Sequence, residues 1–303
     1  MRLWVLLLLL VGSQRALAQE TGLSLLRIGV HAEASALGDA QVAVVRDAFA
    51  AFANPAGLVA RSSNTAALSH RIWVGDLRAY DVAARFGVGA RGAIGLAIMA
   101  TDSGDLEARD RPGQPDGFFS AQFVNVGVSY ARQFGPLRAG FGAKYLRERI
   151  FDADASGYAI DAGVQLELAN QSVVLGAALL NVGRMSQLER ERTELPRMVR
   201  VGAAVQPLRV LADNDGTRLF ELLLTGELSH LFASELTRAH MGVAATVMEM
   251  LTLRAGYLTR DVLRDWTFGL GIRYQPFVLD YAYIPFEGGF EGPGHAMTLL
   301  YAW

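Results

Sequence analysis

The chain has 303 residues, 51 % of them hydrophobic, a formal net charge of −2 and no cysteine. That balance excludes disulfide frameworks, thiolate metal clusters and cysteine nucleophiles, and it offers no electrostatic handle for a nucleic-acid partner. No stretch after the N-terminus reaches the ~18 uncharged apolar residues of a spanning helix, so a helical membrane protein is excluded too.

The chain opens on MRLWVLLLLLVG, with Arg2 ahead of an apolar run from Leu3 to Val11. SQRALA follows, with Ala16 and Ala18 in the small-x-small spacing of a signal-peptidase site. The run is about half the ~20 residues of a membrane helix. A cleaved secretory signal is therefore expected over residues 1–18, with the exported chain starting near Gln19. An exported chain without cysteine folds without covalent staples, which suits a barrel closed by hydrogen bonds.

Residues 19–60 are too polar to span a membrane, being cut by Asp39, Arg46 and Asp47, and too long for a tail. They read as an internal plug, or hatch, containing short helices. A barrel of many strands is wider than side chains alone can fill, so something must occupy it. FANPAGLVA carries the turn where the plug meets the wall. Pro55 fixes φ and lacks an N–H, Asn54 can bond nearby backbone, and Gly57 lets the chain turn. Asn54, Pro55, Ala56 and Gly57 thus form a plug motif, as a structural turn or as the support of a gate.

Over residues 61–303 the pattern changes to period-2 alternation. YAIDAGVQLEL sets Tyr158, Ile160, Ala162, Val164, Leu166 and Leu168 against Asp161, Gly163, Gln165 and Glu167. WTFGLGIRYQ and RLFELLLTGELSH repeat the arrangement. Candidate strands lie near 64–74, 77–87, 91–101, 119–134, 136–150, 155–168, 171–183, 197–207, 217–231, 236–247, 251–260, 265–275, 277–285 and 294–303. They make fourteen, an even number, and most reach the ~9–11 residues of a tilted spanning strand. Short connections at GVGAR, FGP, ANQ, MEM and QP alternate with long charged ones such as TDSGDLEARDRPGQPDG and GRMSQLERERTELP. PLRVLADNDG is long for its place in this alternation and GD at 75–76 short. The fold class read from this is all-β: a transmembrane antiparallel β-barrel of about fourteen strands, its short turns periplasmic. A soluble sandwich also alternates, but its aromatics lie mid-core, whereas several here sit near strand ends.

The chain closes on GHAMTLLYAW. Met297, Leu299, Tyr301 and Trp303 fall on one face, as in the last strand of a barrel with an aromatic at the rim. These four residues are expected to serve as the assembly signal read by the outer-membrane assembly machinery. The alternative is an edge strand docked on a soluble core.

Motifs with possible chemistry are few. GVGARG at 87–92 fits a dinucleotide string, but a strand follows it where the phosphate site needs a helix, so it reads as a hairpin turn. DNDG at 213–216 lacks the remaining ligands of a calcium loop and reads as a turn. The five histidines are scattered and no G-x-S-x-G occurs. No enzyme, metal or cofactor is read from the chain, although a His, Ser and Asp from separate strands could still assemble in a barrel. The inward-facing charges Lys144, Asp161, Glu167, Glu221, Glu227, Arg254, Arg273 and Asp280, with Arg138 and Glu148, carry both signs. They imply a lumen that is water-filled or packed with a polar plug, or simply ion pairs that brace the wall.

ALGDAQVAVVRDAFAAFANPAGL resembles the N-terminal hatch of the PorV/PorQ family of outer-membrane proteins, relatives of the FadL fatty-acid transporters. GAKYL (142–146), LLNVG (179–183), ELPRMVRVGAA (194–204), LRAGY (253–257), GLGIRY (269–274), LDYAYIPF (279–286) and the closing strand extend the resemblance in order. The chain departs from the family at Arg46-Asp47, Phe52-Ala53 and Ala296. The resemblance implies a FadL-like fourteen-stranded barrel in the outer membrane of a Gram-negative-type bacterium, embedded in its lipid. It implies a partner-binding component of type IX secretion, meeting other secretion components or exported cargo. The alternative is a FadL-like channel for small hydrophobic molecules, which would bring a small hydrophobic ligand. A purely structural role is a third reading.

Overall fold

The computed structural model describes residues 23–104, 106–108, 114, 117–169, 172–188, 191–207, 219–287 and 292–303. The expected signal segment and DNDG lie outside them. The strands are β1 (Thr65–Ile72), β2 (Arg78–Val88), β3 (Gly92–Asp102), β4 (Leu106–Ala108), β5 (Gly117–Phe119), β6 (Ala121–Phe134), β7 (Leu137–Ile150), β8 (Ala153–Leu168), β9 (Val173–Met185), β10 (Gln187–Leu188), β11 (Glu191–Arg192), β12 (Met198–Val205), β13 (Phe220–Leu231), β14 (Leu236–Val247), β15 (Leu251–Leu258), β16 (Trp266–Tyr274), β17 (Phe277–Ile284) and β18 (Gly294–Ala302). Fourteen of them close into one barrel, every sequential pair antiparallel and β18 returning to β1 with Leu68 opposite Leu299. The expected fold is the observed one.

The remaining four strands were not foreseen. They pair as β4 with β5 and β10 with β11, two small hairpins inside the long connections. The expected connection before residue 155 shrinks to Phe151 and Asp152, because β8 begins at Ala153. GVGARG forms the turn between β2 and β3, and GD at 75–76 sits in a single 3-10 turn.

Alternation sorts every barrel strand into two faces. Leu68, Val82, Leu96, Ile98, Val128, Ile160, Val201, Leu228 and Leu253 point outward and stay exposed. Exposed aromatics rim this apolar band. Phe86, Phe134, Phe141, Phe220, Tyr274, Phe277, Tyr301 and Trp303 lie at the short-turn end, and Tyr80, Tyr145, Tyr158, Trp266 and Tyr283 toward the long-loop end. An apolar surface of this extent is foreign to a soluble monomer and matches a bilayer-facing wall. Met297, Leu299 and Tyr301 share that outer face; Trp303 stacks on Tyr301 and meets Phe86 edge-on. Backbone bonds of 2.9 and 3.0 Å between Trp303 and Asn64 close the seam.

Residues 23–60 run inside the barrel and leave it at the short-turn end to start β1. Alanine-rich AEASA and AAFA, good helix formers, make α1 (Ala32–Ala36) and α2 (Ala50–Ala53). 3-10 turns span Ser24–Arg27 and Pro55–Val59. Two consecutive left-handed residues, Gly38 (φ 64°) and Asp39 (φ 62°), end α1 and turn the chain along the wall. Asp39 tolerates this conformation because its carboxylate accepts the Gly29 N–H at 3.1 Å.

Candidate functional site

The inner wall is grooved for the plug by missing side chains. Gly95, Gly140, Gly163, Gly176, Gly202, Gly242, Gly256 and Gly269 face inward on β3, β7, β8, β9, β12, β14, β15 and β16. A side chain at any of them would collide with plug atoms: Leu58 at Gly95, Pro55 at Gly140, Asn54 at Gly163, Val42 at Gly176 and Gly202, Leu37 at Gly242, Gly38 at Gly256, Ala36 at Gly269. Register brings Gly140 opposite Gly163, Gly176 opposite Gly202 and Gly242 opposite Gly256. The plug backbone thus lies in a belt of side-chain-free wall.

Residues 29–42 are tied to this wall by polar bonds. Glu227 accepts the Gln41 and Val42 N–H groups, each at 2.8 Å, and pairs with Arg200, which also donates to the Asp39 carbonyl at 2.6 Å. Arg254 bridges Asp280 at 2.7 Å and plug residue Glu33 at 3.2 Å. Arg264, from the β15–β16 loop, pairs with Asp39 and stacks over Trp73. Arg71 pairs with Asp81 at 3.0 Å and donates to the Gly29 carbonyl at 3.1 Å. Thr298 and Thr267 accept the Ala32 and Gly38 N–H groups. Nearly all these side chains are buried, so each charge is compensated where water is scarce.

The inward charges foreseen from alternation occupy several settings. Glu227, Arg254 and Asp280 hold the plug as described. Lys144 pairs with Asp161 at 2.8 Å, and Glu167 pairs with Arg138, within the wall. Glu221 and Arg273 lie half-buried toward the short-turn end, and the Arg273 Nε has no hydrogen-bond partner among the described residues. Arg71, Asp81, Arg200 and Arg264 escaped the sequence reading. Arg71 lies in β1, whose alternation is weak, and Arg264 lies in a loop. Asp81 and Arg200 face inward on β2 and β12, which alternate clearly with Tyr80, Val82, Phe86 and Val201 outward, so their inward position was legible but not singled out.

Within the plug, burial opposes ionisation of Glu33, but Arg254, then His31, Arg46 and Arg61, outweigh it and hold the carboxyl at about 2. Asp39 is likewise buried, yet Arg264, His240 and Arg200 keep it below the usual carboxylate range. Both groups stay anionic and hold their cations.

The other half of the plug is different. Residues 45–59 lean on β1–β3 and β6–β8 mainly through apolar atoms: Val45, Phe49, Ala51, Leu58 and Val59 form one buried cluster with Ala67, Ala83, Ala93 and Ala97 of the wall, while Arg85 and Gln165 donate to the Leu58 carbonyl at 2.8 Å and the Val45 carbonyl at 3.1 Å. The cluster continues toward the long-loop end through Met99, Phe123, Leu146, Met185 and Leu195, where Leu23, Leu26 and Phe52 pack on it. The β1–β8 side of the lumen thus carries both the apolar cluster and inward charges, Arg71 with Asp81, Arg85, Arg138 with Glu167 and Lys144 with Asp161. GAIGLAIMA hides the cluster, because a strand apolar on both faces loses the period-2 contrast that marks an inward face.

Asn54 joins the two halves. Its Oδ1 accepts the Ala56 N–H at 3.2 Å, capping the 3-10 turn that Pro55 starts. Its Nδ2 lies 2.8 Å from the Val42 carbonyl, 3.1 Å from that of Val164 and 3.4 Å from that of Ala177. Gly57 lies inside the 3-10 turn Pro55–Val59 and is also a point of close approach, where a side chain would strike the Val45 carbonyl. Pro55 and Ala56 are fully enclosed, against Gly140.

A serine and histidine do meet across strands: Ser229 Oγ lies 2.8 Å from His240 Nε2, and His240 Nδ1 lies 2.8 Å from the Gly38 carbonyl. The imidazole is thereby spent on plug backbone, with no carboxylate at Nδ1. Among the described residues, no cluster of three His, Asp or Glu side chains could hold a metal ion.

No protein-family model matches the sequence, and no curated protein matches it. Solved structures do resemble the fold. The toluene transporter TodX of Pseudomonas putida matches with a TM-score of 0.63 over 91 % of this chain and 98 % of its own, at 10 % identity. The toluene transporter TbuX of Ralstonia pickettii matches with 0.62 over 90 % and 98 %, at 13 % identity. At such identity the likeness is one of fold alone: a closed fourteen-stranded antiparallel barrel.

Proposed function

We propose that the protein is an outer-membrane channel for small hydrophobic molecules, exported by a signal over residues 1–18 and gated by the plug of residues 19–60. The observation that carries this reading is the division of the plug's contacts. Buried charged pairs anchor residues 29–42, while residues 45–59 are held mainly by an apolar cluster that runs from Met99, Leu146 and Met185 past α2 to Ala67, Ala83 and Leu300 near the short-turn end, with Arg85 and Gln165 donating to the Leu58 and Val45 carbonyls. Apolar packing is non-directional and reforms after displacement, whereas a buried ion pair pulled apart leaves an uncompensated charge. A hydrophobic solute therefore passes along the apolar cluster while the charged pairs hold residues 29–42 fast. The fold shared with two toluene transporters supports the same reading. The test is the initial rate of labelled toluene uptake by cells with intact outer membranes, with and without the protein. A faster rate with the protein is expected; equal rates, with the barrel present in the outer membrane, would refute it.

The second reading, a PorV-like partner in type IX secretion, rests on the sequence resemblance of the plug and closing strand. Loss of secreted cargo on deletion of the protein, with hydrocarbon uptake unchanged, would favour it.

A further inference from the structure

A polar niche borders the apolar cluster of the lumen. A cavity of about 20 Å³ lies between plug residues Leu26 and Phe52 and the wall at β3, β6, β7 and β8. Asn125, Ser129 and Lys144 line it. Asn125 and Ser129 stand four residues apart on β6, and Lys144 on β7 lies directly opposite Gly127 between them. Gly127 keeps the space open: a side-chain carbon there would meet only the Lys144 Cβ at 3.5 Å and the Ala143 carbonyl at 3.6 Å.

These groups have unused hydrogen-bonding capacity. Asn125 is 3 % exposed, and its Oδ1 has no hydrogen-bond partner among the described residues. An unmet buried carboxamide is costly, so its retention beside an apolar cluster needs a reason. Ser129 makes no side-chain hydrogen bond among the described residues. Lys144 spends two of its three protons, on Asp161 at 2.8 Å and on the Asn181 Oδ1 at 2.5 Å. Asp161 is in turn fixed by the Asn181 N–H at 2.8 Å, at a bulge where Asn181 takes a left-handed φ of 62°.

We infer that this niche recognises the polar head of a small, neutral amphiphile, an alcohol or phenol, whose carbon skeleton takes the place of the Leu26 side chain. The inference rests on the channel reading and narrows its substrate class. Three features select the head. Asn125 supplies an acceptor; Ser129 and the third Lys144 proton supply donors; and the Lys144–Asp161 pair leaves the niche without net charge. A carboxylate head would bring a negative charge against Asp161 with no free cation to meet it, so fatty acids are disfavoured. A pure hydrocarbon leaves all three groups unsatisfied. The cavity accepts only a hydroxyl-sized group as it stands, so the remaining atoms require Leu26 to withdraw.

The test is equilibrium dialysis of labelled p-cresol and p-xylene, which differ by a hydroxyl in place of a methyl, against the full-length protein in detergent, corrected for micelle partitioning. Wild type is expected to bind p-cresol about 10-fold more tightly than p-xylene, the scale of one buried hydrogen bond. Asn125→Leu should abolish the preference, Ser129→Ala should reduce it, and Leu26→Ala should tighten both ligands. Heat-modifiable migration on a gel establishes that each variant is a closed barrel. Equal binding of both ligands, unmoved by Asn125→Leu or Ser129→Ala, would overturn the inference and leave the channel reading standing. Binding of neither, in wild type and in Leu26→Ala, would overturn the inference and count against the channel reading as well.

Discussion

Glu227 ties two plug amides to the wall, and its removal has a magnitude that follows from its contacts. The carboxylate is 4 % exposed; it pairs with Arg200 and accepts two plug N–H groups at 2.8 Å. In Glu227→Met, Arg200 keeps only the Asp39 carbonyl, and the Gln41 and Val42 amides lose their acceptor. Breaking a buried pair in this way costs about 3–5 kcal/mol, which makes local opening about 100- to several-thousand-fold more frequent. The loss falls on the plug, because the β12–β13 ladder is held by its own backbone bonds. Hydrogen exchange of residues 39–45 in the full-length protein should accelerate by that factor while β12 and β13 amides stay protected. Adding Arg200→Met should restore much of the protection, since an apolar pair replaces the stranded charge. Unchanged exchange at Gln41 and Val42 would refute the view that Glu227 anchors the plug. Equal acceleration throughout β12 and β13 would refute its confinement to the plug.

Asn54→Ala removes bonds to Val42, Ala56, Val164 and Ala177, and should loosen the junction while the barrel still assembles; bilayer conductance should rise above wild type, and wild-type conductance would leave a purely structural turn. Glu33 and Asp39 both titrate lower in the folded protein than in an unfolded chain, so their stabilisation is complete at neutral pH. For Glu33 it begins to fade near 4.5 and is lost as pH falls through about 2; conductance should therefore stay flat from pH 8 to about 5 and climb only in strong acid. Deleting Trp303, or replacing Tyr301 and Trp303 by Ser, removes the Asn64 seam bonds or the rim stack and should lower the amount of barrel in outer-membrane fractions, as read by immunoblot. Gly256→Val should exclude Leu37 and Gly38 from their groove, giving a heat-modifiable barrel with a protease-sensitive plug.

The barrel was legible because its strands obey a period of two with one apolar face, and because connection lengths alternate. The turn at Asn54 and the rim at Trp303 were legible for similarly local reasons: proline stiffness, asparagine capping and an aromatic at a strand end. What escaped is long-range. Nothing local announces that Glu227 serves the amides of Gln41 and Val42, nearly two hundred positions away. The glycine belt was visible residue by residue, as Gly163 or Gly269 on an inward face, but its meaning needs the register that sets one strand's glycine opposite the next. The apolar cluster was invisible because Ala93, Ala97 and Met99 sit in a strand that is apolar on both faces. Asn181 carried a signal, an asparagine within LLNVG, that could have marked the bulge opposite Asp161.

The claim that small hydrophobic molecules travel through the lumen along the apolar cluster beside the plug is tested most directly by locating one there. Crystals of the full-length protein soaked in 4-bromophenol should give an anomalous bromine peak inside the barrel, among Met99, Phe52 and Leu146, with the residues around Leu26 displaced. Bromine found only on the outer, lipid-facing wall, with the interior unchanged, would contradict the account.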